Sequence, residues 1–151
     1  MRNFLVKILS TFFYVGFLPL IPGTFASLIG VSIFYLTRGN FWPMFLFTAS
    51  IMILGFAVSG EAERMFNKKD AKYIVIDEVA GMLLSLMFLP FNIKFVIIAF
   101  VLFRLLDILK PYPANRIQEL KGSIGIMGDD IIAALYTNIL LQFLSKVIIK
   151  L

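Results

Sequence analysis

The residues best suited to chemistry lie at the end of a long apolar run, in the segment FRLLDILKPYP. Arg104, Asp107 and Lys110 are spaced three residues apart, so on a helix they follow one side and drift by about 60° per step. Pro111 then ends the helix, because proline lacks an N–H group and disfavours helical geometry in the preceding residue. Ionisable groups in such an apolar setting are costly and usually functional. Snorkelling at the interface would explain the two cations more simply, but the short side chain of Asp107 cannot snorkel far.

Two acidic pairs stand where apolar segments begin. Asp77 and Glu78 fall in the first turns of one predicted span, and Asp129 and Asp130 open another. Acidic residues at helix N-termini also complement the helix dipole, which alone would explain one residue of each pair. Several carboxylates gathered near a bilayer are unfavourable unless a cation compensates them. Oxygen-only ligation suits Mg²⁺ or Mn²⁺ better than zinc, so all five acids, including Asp107, are candidate catalytic residues and metal ligands.

Several groups near these acids are suited to binding a phosphate. The segments GTFAS and KGSIGIMG could add backbone N–H donors near helix N-termini. Ordinary capping and turns would explain both segments equally well. A metal, basic side chains and N–H donors are together the components of phosphoryl transfer. The candidate substrate-binding residues are Thr24, Ser27, Arg104, Lys110 and Lys121.

The elements that must position these residues are those of a membrane protein. The 151 residues are 60% hydrophobic and 15% charged, whereas soluble domains are about 45–50% apolar and about 25% charged. We therefore expect one membrane-embedded domain. The net charge of +5 suits loops facing an anionic cytoplasmic leaflet, and so little polar surface argues against binding of nucleic acid. The N-terminus has a basic start but no small-residue cleavage site, which predicts a retained segment and not a signal peptide.

The absence of cysteine and histidine narrows the chemistry. Disulfides, cysteine phosphatases and phosphatases with a histidine nucleophile are excluded, and the usual zinc ligands are missing. The DxD pattern of aspartyl-phosphate phosphatases is absent too. Metal-assisted attack by water, or attack by one of the carboxylates, remains open.

The apolar pattern predicts an all-α fold, a small polytopic bundle with about four clear transmembrane spans. An apolar N-terminal segment, residues 4–18, is short for a span, and whether it crosses the membrane is left open. A helix capped by Thr24 should continue through Tyr35. The four spans are expected over residues 41–59, 74–90, 93–110 and 129–149.

Two segments rich in Lys and Arg predict the orientation of the chain. Residues 61–73 and 111–128 should both be cytoplasmic by the positive-inside rule. Counting spans from these loops places GTFAS and the three charged groups at the same membrane face. The topology thus predicts a single site built from distant parts of the chain.

Four motifs in this order, PGTFAS, IVIDEVAGM, FRLLDILKPYP and KGSIGIMGDDIIA, resemble those of the phosphatidylglycerophosphatase A family. The resemblance covers most of the chain from Pro22 to Ala134. It departs from the family pattern at Ala26, Ser123 and Ala134, where the family usually has glycine.

The resemblance implies a Mg²⁺-dependent phosphatase of the bacterial inner (cytoplasmic) membrane, which acts on a phospholipid substrate. Such an enzyme removes the terminal phosphate of phosphatidylglycerophosphate to give phosphatidylglycerol. The family's charged motif positions fall here on Asp77, Glu78, Arg104, Asp107, Lys110, Asp129 and Asp130.

Three other functions fit parts of this pattern less well. A small transporter or channel also uses intramembrane acids, but it needs polar residues through the membrane midplane and not at one face. A CDP-alcohol phosphotransferase would require a DG…AR…G…D…D pattern that the chain lacks. A purely structural partner of another enzyme would leave Asp107 unexplained. The oligomeric state is left open.

Overall fold

A computed structural model of the chain describes residues 1–69 and 71–148, and this part is helical without a strand. The helices are α1 (Arg2–Ser10), α2 (Pro22–Thr37), α3 (Phe41–Met65), α4 (Ile76–Leu86), α5 (Ile93–Leu109), α6 (Ala114–Ile117) and α7 (Ser123–Ile148). The all-α prediction is confirmed.

Helix α4 is the centre of the bundle, and α2, α3, α5 and α7 all pack against it. Its side chains are buried almost all round, and beyond the first turn Ser85 is its one polar side chain, as expected of a helix enclosed by others. Gly81 allows α5 to approach closely, since a Cβ there would lie 2.6 Å from the ring of Phe103. Contacts with these four helices fix the position of the first turn of α4 within the bundle.

The expectation of four clear spans is wrong. Only Phe41–Met65 and Ser123–Val147, among the described residues, are long and apolar enough to cross a membrane by length and composition. Helix α4 has 11 residues, or about 16 Å of rise against a hydrocarbon core of about 30 Å. Helix α5 matches its predicted bounds but has only 17 residues, and Lys94, Arg104 and Asp107 interrupt its apolar character.

The end of α4 inside the bundle is capped by a side chain of α7. The buried amide of Asn138 donates to the carbonyl oxygens of Leu84, Ser85 and Met87 at 3.3, 3.0 and 2.7 Å. The side-chain amide of Gln142 in turn donates to Oδ1 of the Asn138 side chain at 2.7 Å. Helix-terminal carbonyls that lack water need such donors. The cap explains how a predicted span can stop after three turns.

Other boundaries also differ from those expected. Helix α2 begins at Pro22 with Ile21 as its N-cap, so Thr24 is not the cap but the third residue, and the helix runs on to Thr37. Helix α3 extends to Met65, into the predicted polar segment 61–73, of which Asp70 lies outside the described residues.

The predicted loop 111–128 contains helix α6 and the start of α7. Helix α7 starts at Ser123, so Asp129 and Asp130 do not open it but are its seventh and eighth residues. The predicted end of this span, Ile149, lies outside the described residues. In the N-terminal segment, α1 has nine residues and ends before three residues with positive φ, Phe12, Phe13 and Tyr14.

Candidate active site

Three carboxylates from two helices form the centre of the site. Asp77 and Glu78 come from the first turn of α4, and Asp130 is the eighth residue of α7. One oxygen from each lies within 4.8 Å of the others. Asp77 Oδ1, Glu78 Oε2 and Asp130 Oδ2 are buried and have no hydrogen-bond partner. Buried carboxylate oxygens without donors are costly, so this arrangement fits a cation held between them.

Helix α5 adds a cation and a fourth carboxylate. Arg104 Nη1 lies 2.8 Å from Asp107 Oδ2 and 4.0 Å from Glu78 Oε1. The carboxylate of Asp107 also faces that of Asp130. Asp77, Glu78 and Asp130 together form the acidic cluster. Arg104 and Asp107 both lie beside it, because their three-residue spacing puts them on one side of α5.

The end of α5 brings in a second ion pair. Lys110 has a left-handed backbone conformation with φ of 45°, and Pro111 follows it, so the helix stops there. The ammonium group of Lys110 pairs with Asp129 Oδ2 of α7. The other oxygen of Asp129 accepts a hydrogen bond from the backbone N–H of Asp130 at 3.1 Å. This network fixes the two acids of α7 relative to the end of α5.

The GTFAS segment reaches the cluster through its backbone. A Cβ on Gly23 would lie 2.2 Å from Glu78 Oε1 and 3.2 Å from Arg104 Nη1, so α2 can approach this closely without displacing Glu78 only because residue 23 has no side chain. Thr24 is half-buried in the same first turn. The hydroxyl of Ser27 is buried and donates to the carbonyl oxygen of Gly23 at 3.0 Å. Ser27 thus supports the turn that carries Gly23.

Lys121 is the candidate that the structure places elsewhere. Its side chain is exposed beside the C-terminal end of α3. The surrounding groove is mostly basic and is lined by Glu63, Arg64, Asn67, Lys68, Lys69 and Lys121. The predicted convergence of charged groups therefore holds for the two acidic pairs and the central motif, with Lys121 outside it.

The macrodipole explanation of the acids is weakened for α7 and remains for α4. Favourable effects of the dipole fall off within the first turn, and the first turn of α7 contains no acidic residue. Asp129 and Asp130 are nevertheless almost fully buried. Their position is better explained by the ion pair with Lys110 and by the carboxylates that face Asp130.

Sequence reasoning missed the roles of Gly23 and Asn138. The signal for Gly23 was its place between Pro22 and Thr24 at the start of a helix, where a small residue permits close approach. The signal for Asn138 was an amide in an otherwise apolar stretch of helix, a residue type that needs partners when buried.

The comparisons with known proteins identify the family of the chain. The family model for "Phosphatidylglycerophosphatase A" matches residues 8–145. No solved structure matches significantly.

Among similar proteins, one of Escherichia coli named "Phosphatidylglycerophosphatase A" is 34% identical over 91% of this chain and 82% of its own length. One of Haemophilus influenzae with the same name is 33% identical over 89% and 85%. A protein of Bacteroides thetaiotaomicron named "Putative phosphatidylinositol-3-phosphatase" is 32% identical over 97% of both chains. With a family model matched over most of its length and relatives of this similarity, the chain belongs to the phosphatidylglycerophosphatase A family, and these relatives support its being a phosphatase.

Proposed function

We propose that the protein is a Mg²⁺-dependent lipid phosphatase that hydrolyses the terminal phosphate monoester of phosphatidylglycerophosphate at the cytoplasmic face of the bacterial inner membrane. Family membership supports the phosphatidylglycerophosphatase activity. The observation that carries the mechanism is the set of three buried carboxylate oxygens without partners, next to two cations.

The metal site is assigned to Asp77, Glu78 and Asp130. Their oxygens are close enough to share one ion, and carboxylate oxygens are the donors that Mg²⁺ prefers. A bound Mg²⁺ would neutralise charge on the phosphate and activate a water molecule. Asp107 and Asp129, the other two predicted ligands, each already hold a cation. Their assigned role is to orient these cations beside the metal site.

Arg104 and Lys110 are assigned to the phosphate of the substrate. The fork of Arg104 matches two phosphate oxygens, while Lys110 contributes a compact charge. Arg104 Nε is buried without a partner, so one N–H of the guanidinium group is unused within the described protein. The backbone of Gly23 borders the same space from α2, and Thr24, the next residue in that turn, is proposed to contact the substrate. Lys121 is not assigned a catalytic role.

In the proposed reaction, the oxygen of water attacks phosphorus, and the bond between phosphorus and the ester oxygen of the lipid breaks. One proton of the water passes to the departing alkoxide, which leaves as the alcohol of the lipid. The other hydrogen remains with the released phosphate. Arg104 and Lys110 stabilise the charge that develops on the phosphate oxygens.

The surface of the protein supports embedding in a membrane. Large apolar side chains are exposed along α3, α5 and α7, and contiguous apolar surface of this kind marks contact with a membrane or a partner. The basic segments that follow α3 and precede α7 lie side by side, since Lys69 Nζ donates to the carbonyl oxygen of Glu119 at 2.8 Å. A multi-pass topology with both segments in the cytoplasm follows from the positive-inside rule.

The experiment is phosphate release by the purified protein in mixed micelles containing phosphatidylglycerophosphate. Release with Mg²⁺ and loss of release with EDTA are expected. A parallel assay on phosphatidylinositol 3-phosphate tests the substrate named for the Bacteroides relative. Turnover of that lipid alone would overturn the substrate assignment, and no turnover of either would overturn the phosphatase. Reporter fusions in residues 61–69 and 118–122 should report the cytoplasm.

A further inference from the structure

The acidic cluster is more exposed where α2 meets α5 than at its deep acids on α4 and α7. Asp77 of α4 and Asp130 of α7 are the most buried acids of the cluster, with only 6% and 3% of their surface exposed. The side chains of Glu78 and Arg104, where α2 meets α5, are exposed by 16% and 19%. The junction between α2 and α5 is therefore the less buried approach to the cluster.

Both helices of the junction carry exposed apolar side chains further from the cluster. On α5, Ile97 lies seven residues before Arg104, which is two turns along the same side of the helix. On α2, Ile33 faces α3 in an apolar cavity that Phe47 and Ile51 also line. Leu28 lies about 140° around α2 from Ile33, on the side of Thr24. Leu28 and Ile97 are exposed by 45% and 56%.

Resting on the function proposed above, we propose that the lipid substrate enters sideways through this α2–α5 groove, defined by Thr24 and Leu28 on α2 and Ile97 and Arg104 on α5. Its phosphate meets the cation at the polar end, and an acyl chain lies along the apolar residues. Two observations indicate a lipid phosphate as the occupant. The positive charge of Arg104 complements a phosphate monoester, and the exposed apolar residues beyond it can contact the acyl chains attached to that phosphate.

The test compares two neighbouring residues of α5. Ile97→Trp places a bulky side chain in the groove, whereas Ile98→Trp, rotated by about 100°, places the same side chain on the other flank. Ile98 is also exposed, by 45%. With long-chain phosphatidylglycerophosphate, Ile97→Trp should raise KM about tenfold, while Ile98→Trp leaves it unchanged. With a short-chain analogue, both variants should match the wild type.

A binding measurement keeps the groove testable if the phosphatase activity fails. In a Trp42→Phe background, which removes the single native tryptophan, the fluorescence of each variant is quenched with brominated phosphatidic acid or brominated phosphatidylcholine. Ile97→Trp should be quenched at a much lower mole fraction of the phosphate monoester, and inorganic phosphate should reverse this. Equal quenching by both lipids would mean ordinary bulk lipid contact. The groove proposal would also be refuted if Ile97→Trp and Ile98→Trp raised KM equally, or if Ile97→Trp raised KM equally for the long-chain and short-chain substrates.

Discussion

Gly23→Ala should reduce activity without unfolding the protein. The added Cβ would lie 2.2 Å from Glu78 Oε1, whereas ordinary van der Waals contact begins at 3.4 Å. The carboxylate must therefore retreat by 3.4 − 2.2 = 1.2 Å. A misplacement of about 1 Å at a reacting centre costs about 10²-fold in rate. Because the clash falls on the end of a flexible side chain, folding should be little affected.

The assay is phosphate release per folded protein, with folding measured by thermal unfolding in the same detergent. Gly60→Ala is the matched control, since its Cβ would lie 3.0 Å from the backbone N and the hydroxyl of Ser123, away from the acidic cluster. That variant should lose stability and keep its turnover. The pair thus separates pressure on Glu78 from general crowding by an added methyl group.

A second background tests whether Glu78 transmits the effect. Glu78→Asp withdraws the carboxylate by one methylene and removes the clash, so adding Gly23→Ala to it should cost much less than about 10²-fold. Wild-type turnover in folded Gly23→Ala, or the same loss in both backgrounds, would refute the reasoning.

Three further predictions concern the cluster and its support. Asp130→Asn keeps the size of a side chain in the proposed metal site and removes its charge, so turnover should fall about 10²-fold or more. Asp107→Asn should cause a similar fall if orienting Arg104 is essential. Turnover of either variant that survives EDTA would contradict the metal mechanism. Lys110→Ala should mainly raise KM and Arg104→Ala should mainly lower kcat, as steady-state kinetics can show, and the reverse pattern would exchange their roles. Asn138→Leu uncaps the end of α4 and should lower unfolding stability by about 1–3 kcal/mol, measured by denaturant titration; an unchanged midpoint would mean that water replaces the cap.

The convergence of charges was predictable because it depends on helix order more than on helix length. Helix ends alternate between the two ends of a bundle, so the starts of α4 and α7 meet the end of α5 whether or not each helix spans a membrane. The spacing of Arg104 and Asp107 likewise needed only the helical repeat.

The number of spans was not predictable in the same way. Residues 74–90 are apolar enough to suggest a span, but the pattern cannot distinguish contact with lipid from burial among other helices. The structure shows the second case, because α4 is enclosed by four helices and its final carbonyls are satisfied by Asn138. That partner lies 51 residues away from Met87 in the chain, so no local signal could announce it.

The different roles proposed for the five acids depend on which side chains lie near each acid in the folded bundle. In sequence, Asp129 and Asp130 are equivalent neighbours, and both are predicted ligands. In the bundle they point to different partners: Asp129 pairs with Lys110, and Asp130 faces Asp77 and Glu78. Adjacent residues of a helix are about 100° apart around its axis, so one pair can serve two functions. The same rotation at the start of α4 would leave Asp77 deep in the cluster and turn Glu78 toward Gly23, where the approach to the cluster is less buried. Because α4 begins with two acids beside the α2–α5 junction, its first turn can hold a metal with one side chain and face a lipid phosphate with the other.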